Sequence, residues 1–137
     1  MHAAAVMIAD PLVAATGATS AEVAALMRSR NVSFVPVIDN PKDRRFKGIV
    51  SDRDIVVGCV AMGHDPKECS AEDHMRTDTA VVTPDTELNG YRLKAEMDAA
   101  GHPIRATIVV VDQNRKVVGF IPHPEQIEGI LKDESVD

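Results

Sequence analysis

The chain has 137 residues, of which 45% are hydrophobic, enough to bury a core as one compact unit or as two small subdomains. Its formal charge is −6, from 15 basic and 21 acidic side chains, and only 3% of its residues are aromatic. Phosphate neutralisation needs basic surface and single-strand binding needs stacking rings, so this composition argues against nucleic acid and favours a metabolite as partner.

In chain order, the elements occur twice in the same sequence of kinds, a pattern that bears on the fold before any single element does. Met7, Asp10 and the LVAAT run return at matching spacing as Met75, Asp78 and AVVT. A helix is predicted over 19–30, opened by Thr19 and Glu22 as a capping box, with Val23, Leu26 and Met27 on one face. Its counterpart is predicted from Asp85 toward Ala100, with Leu88, Tyr91 and Leu93 or Met97 facing inward. Each half then offers a hairpin. FVPVID and FKGIVS flank the turn NPKDRR, and TIVVVD and KVVGFI flank QNR, with Gly48 and Gly119 in corresponding places. Closing helices are predicted at Asp52–Met62 and Pro124–Leu131, and GHDPKECS is the link, after which Ser70 and Asp73 cap a short helix. The expected fold is therefore α/β (α+β), β-α-β-β-α twice over, with two sheets that neither half of the chain could cover alone.

The segment KGIVSDRDI carries the chemistry. Gly48, Ile49 and Val50 end a buried strand, and Ser51 with Asp54 forms the S-x-x-D pattern of a first helical turn. N–H groups at such a start favour an anion, Arg53 adds a fork of donors, and the Asp54 carboxylate can accept from ribose hydroxyls. The same pattern also serves as a plain cap, and at the level of these residues both readings stand.

Other chemistries find less support. Cys59 lies in the apolar stretch IVVGCVAM and reads as a small buried thiol; with Cys69 it makes no disulfide framework. Neither cysteine shows familiar zinc spacing with His2, His64, His74, His102 or His123, so no metal site is expected. There is no Gly-rich phosphate loop and no H-E-x-x-H, and His64 beside Asp65 reads as solvated linker, so no catalytic residue is expected. The AAAVMIA run lacks a basic flank and no stretch suits a bilayer, so the expectation is a cytoplasmic protein without membrane contact.

The repeat, with VPVID followed by FKGIVSDRDI, resembles the paired cystathionine β-synthase (CBS) domains, and SDRDIVVGCVAMGHDP is similar to the small stand-alone bacterial CBS-pair proteins. The resemblance implies CBS motifs at 1–64 and 65–137, joined in one pseudo-twofold module. It implies a regulatory homodimer, an undefined protein partner, and clefts between the motifs for an adenosine-containing ligand: AMP, ADP, ATP, NAD or S-adenosylmethionine. By position, Asp54 would hold the ribose, Ser51 and Arg53 would face phosphates, and the strands at Val35, Pro36, Val13 and Ala14 would make the adenine slot. The second half departs from this pattern, with Pro122 in place of Ser51 and Glu125 in place of Asp54, so a weak second site is expected at Glu125. The homodimer is expected through the closing helices, because IVVGCVAM is more apolar than one helix over a small sheet requires. A partner-binding protein of the same fold that has lost its ligand is the alternative.

Overall fold

The computed structural model describes residues 2–88 and 108–121, which fall into two compact units. The units interleave in sequence: one is Leu12–Thr77, and the other joins Met1–Pro11 to Asp78–Asp137.

The Leu12–Thr77 unit begins after α1 (Ala3–Val6) and β1 (Ile8–Ala9), which belong to its neighbour. It contains β2 (Ala14–Ala15), α2 (Ser20–Arg30), β3 (Phe34–Ile38), β4 (Phe46–Ser51), α3 (Asp52–Ile55) and α4 (Ala71–His74). The sheet order is β2-β3-β4, with β2 parallel to β3 and β3 antiparallel to β4. A parallel pair needs a crossover, and α2 supplies it. Thr19 Oγ1 accepts the Glu22 N–H at 3.0 Å to start that helix, and Asn31, left-handed at φ 53°, ends it. Val23 and Met27 are buried and Leu26 is half-buried, so the predicted face is the one that packs. With Ala14, Val35, Val37, Val50, Ile55 and Cys59 they form the unit's core.

The other unit repeats this plan with β5 (Ala80–Val82), β6 (Ile108–Val111) and β7 (Val117–Ile121), in the order β1-β7-β6-β5. Its β5 runs parallel to β6, which runs antiparallel to β7. All four residues of β6 are buried, as its unbroken Ile-Val-Val-Val run implies. Ala3, Ala80, Val82, Leu88, Ile108, Val110 and Ile121 make the core here. The helix predicted from Asp85 does not start there: residues 85–88 are not helical, and Glu87 bridges His2. The rest of that stretch, with Tyr91, Leu93 and Met97, and the helix predicted at Pro124–Leu131 lie outside the described residues. Both hairpins turn on the same device. Asp39 Oδ1 takes the N–H groups of Asn40 (2.7 Å) and Arg45 (2.9 Å), and Asp112 Oδ1 takes those of Asn114 (2.8 Å) and Lys116 (2.9 Å).

The closing helix of the first motif differs from expectation. Only Asp52–Ile55 is α-helical; Val56–Val60 forms a π-helical turn, in which Ala61 N–H donates to Val56 O at 2.8 Å and His64 N–H to Cys59 O at 3.0 Å. Two β-branched valines followed by Gly58 weaken the α-helix at that point.

Each repeated methionine segment lies along the last strand of its own compact unit. Met75–Arg76 lies along β4, with Ile49 and Arg76 exchanging hydrogen bonds at 2.9 and 2.8 Å. Met7–Ala9 lies along β7, with Ile8 opposite Phe120 and Ala9 opposite Gly119. Each segment crosses its sheet over a glycine. A Cβ at Gly48 would stand 2.7 Å from the Arg76 carbonyl oxygen and 2.9 Å from Met75 Sδ; one at Gly119 would meet Met7 Sδ at 2.5 Å and Ile8 O at 3.0 Å. A flexible methionine can give way, whereas a paired main chain cannot. Gly48→Ala should therefore destabilise the protein by about 1–3 kcal/mol and by more than Gly119→Ala. Urea denaturation of the two variants measures the difference, and equal losses would contradict the main-chain argument.

Candidate functional site

Strand β4 ends at Ser51, and the chain turns at once into α3. Ser51 Oγ accepts the Asp54 N–H at 3.1 Å, while Asp54 Oδ2 accepts the Ser51 N–H at 2.9 Å, a complete capping box. The cap reading of S-x-x-D is thus present in the structure, and it fixes the Asp54 rotamer rather than removing the carboxylate from use. A second contact falls on the same oxygen: Arg76 Nε donates to Asp54 Oδ2 at 3.3 Å. Both contacts leave Oδ1 without a hydrogen bond among the described residues, and the Asp54 side chain is 17% exposed.

The remaining predicted residues lie in the same unit. Ser51 is buried and stands opposite Phe34 across the hairpin, while Arg53 is exposed. Val35 and Pro36 pair with Val50 and Ile49, and Ala14 pairs with Val37 on the far side of β3. Val13 precedes β2 and is half-buried. The side chains of Ala14 and Val35 belong to the core cluster, so what these two positions can offer a base is main chain. Glu125 lies outside the described residues.

Arg76 was not singled out in the sequence. It lies far from Asp54 along the chain, and its approach depends on the bridge to Ile49 over Gly48. The other basic residues near β4 are partly committed. Desolvation pushes the Asp39 carboxyl up, but the N–H groups of Arg45 and Asn40 and the charges of Arg45 and Lys47 outweigh it and hold the carboxyl below the usual range. Arg53 is the exposed cation next to Asp54 in the chain. The linker is also tightly placed. Ser20 N–H donates to Cys69 O at 2.8 Å and Ala71 N–H to Ala18 O at 2.7 Å, and Ser70 and Asp73 form a second capping box. These bonds bring Cys69 and His74 to Cys59, three side chains that the sequence reading had kept apart, with their ligand atoms within 4.8 Å of one another.

The CBS domain family model matches residues 3–59. The CBS domain-containing protein YhcV of Bacillus subtilis is 32% identical over 117 residues, which cover 85% of this chain and 76% of that protein. An uncharacterized protein of Methanopyrus kandleri is 34% identical over 104 residues, 75% of this chain but 49% of its own length, so the chain spans about half of that relative. Among solved structures, CBSX2 in complex with AMP superposes with a TM-score of 0.70 at 18% identity, covering 97% of this chain and 98% of that one. A mixed α/β fold of paired hairpin motifs, the cap-and-carboxylate junction at Ser51–Asp54 and the match to YhcV agree: this chain belongs to the CBS domain proteins.

Proposed function

We propose that the chain is a regulatory module, not an enzyme, that binds an adenosine-containing ligand at the end of β4. The observation that carries this reading is Asp54: a fixed, partly exposed carboxylate with one oxygen left over and the exposed Arg53 beside it. A carboxylate held in this way suits two adjacent ribose hydroxyls, and Arg53 suits a phosphate. Ser51 closes the turn beside them, and the main chain at Val35, Pro36, Val13 and Ala14 would read the base edge. The AMP complex of CBSX2 supports the adenosine class. Within that class AMP, ADP, ATP, NAD and S-adenosylmethionine are the candidates. Arg76 favours the alternative, a partner-binding module without ligand, because it already neutralises Asp54.

Calorimetric titration with these five ligands decides between the two readings. Binding by at least one, near one ligand per chain, is expected; silence from all of them at millimolar concentration would leave the partner-binding reading. A charge-assisted hydrogen bond is worth about 1.5–3 kcal/mol, so Asp54→Ala should weaken binding roughly tenfold to a hundredfold. The same change removes a cap, at a cost of about 1 kcal/mol in the ligand-free protein, so the stability of the variant is measured beside its affinity. Glu125→Ala should leave binding nearly intact, since the second site is proposed to be weak. A larger loss at Glu125 would reverse the assignment of the two motifs.

If Arg53 faces phosphate, Arg53→Ala should weaken AMP more than adenosine, and equal losses would refute that role.

The module is further proposed to be a homodimer. Val56, Val57, Val60 and Met62 are 56%, 47%, 53% and 67% exposed on and just after the π-helical turn, an apolar face of the kind that symmetric partners cover. Light scattering should give a dimer at tens of micromolar protein and a monomer for Val60→Glu. A monomeric parent protein at that concentration would overturn the assignment.

A further inference from the structure

We propose that Cys59, Cys69 and His74, with His64 closing from the solvent side, form a binding site for a thiophilic divalent cation of the zinc type. The site is distinct from the Asp54 junction and shares no residue with it.

Geometry carries the proposal. One sulfur or nitrogen atom from each of Cys59, Cys69 and His74 lies within 4.8 Å of the others. A tetrahedral ion with bonds of about 2.0–2.3 Å needs its ligands about 3.5 Å apart, which side-chain rotation within this cluster supplies. Cys59 is fully buried and Cys69 is half-buried, so the pocket is shielded from competing water.

The second observation is His74 Nε2, which is buried and has no hydrogen-bond partner among the described residues. Leaving such an atom unmet is costly, and a metal bond satisfies it. The ring's other side faces Gly58, where a Cβ would come within 3.2 Å of Nδ1, so the glycine makes room for the imidazole.

His64 has a structural reason to join. The hydrogen bond from His64 N–H to Cys59 O, of the π-helical kind, ties residues five apart, and the His64 ring centroid lies 6.3 Å from that of His74. His64 is exposed and free to swing inward. The four residues follow one spacing, C-x4-H-x4-C-x4-H, which matches no helical period and becomes visible only once the π-turn and the linker are placed. Two thiolates and two imidazoles form a donor set that suits zinc.

A divalent cation would hold Cys59 and Cys69 as thiolates. Binding releases the two thiol protons to solvent, and the ion with its thiolates is neutral overall.

The test uses the full chain, reduced, stripped of metal with a chelator, titrated with Co2+ and then with Zn2+. One Co2+ per chain is expected, with thiolate-to-cobalt charge-transfer absorption and the intense visible bands of tetrahedral coordination, both bleached by Zn2+. Cys69→Ser and His74→Ala, each checked for fold by circular dichroism, should lose affinity on the order of a hundredfold, and His64→Ala on the order of tenfold. Absence of the charge-transfer band in excess Co2+, or unchanged affinity in Cys69→Ser, would overturn the site. So would a Cys59–Cys69 disulfide that forms in air despite added Zn2+, which would make the pair a redox couple instead. An unaffected His64→Ala would overturn the fourth ligand.

Discussion

The missing side chain at Gly48 is the constraint on which the Leu12–Thr77 unit depends. Because no Cβ stands there, the Met75–Arg76 main chain can lie against β4 closely enough to exchange two hydrogen bonds with Ile49. That contact closes the unit by returning the end of the linker to the sheet from which it left. It also delivers Arg76 to Asp54, while the short helix just before it delivers His74 to the neighbourhood of Cys59. A hydrogen-bonded bridge thus sets two polar sites at once. Gly119 does the same for the other unit beneath Met7.

Asp54 illustrates how one carboxylate can be structural and available at the same time. Its Oδ2 closes the capping box and meets Arg76, which locks the side chain in a single rotamer. Preorganisation of this kind lowers the entropy lost when a ligand binds, since the acceptor does not have to be ordered. The arrangement has a cost on the other side. Arg76 already compensates the charge, so a ligand of the proposed class would gain less from Asp54 than from a bare carboxylate, and hydroxyl geometry rather than net charge would have to supply selectivity.

Sequence reasoning reached the first motif because its signals are local. Thr19 and Ser51 are followed by the partners that their caps need, the hairpin strands are Val- and Ile-rich, and Gly48 and Gly119 mark equivalent places. The features it missed are non-local or non-periodic. Arg76 meets Asp54 only through the bridge over Gly48, which no spacing encodes. The π-turn replaced an expected α-helix because the hydrophobic pattern of VVGCV suits either, and the difference lies in backbone bonding. Cys59, Cys69 and His74 escaped notice because their spacing fits neither a helix nor a familiar zinc pattern. The compact units also divide at Pro11 and Thr77, while the sequence repeats were expected to meet near residue 64; one is a boundary of packing and the other of sequence repetition.

The interleaving of the two units sets an order of events on the ribosome. Leu12–Thr77 is one continuous stretch and can be finished while the rest of the chain is still being made. Ile8 and Ala9 have no such option, because their strand partners are Phe120 and Gly119. At typical elongation rates of about 5–20 residues per second, the apolar AAAVMIA segment waits on the order of ten seconds for its place in a sheet. An already folded Leu12–Thr77 shortens the effective loop that β1 must close, so completion of the first unit lowers the entropic barrier to the second. Ile8 and Ala9 are therefore secured only after residues that follow them by more than a hundred positions have been made.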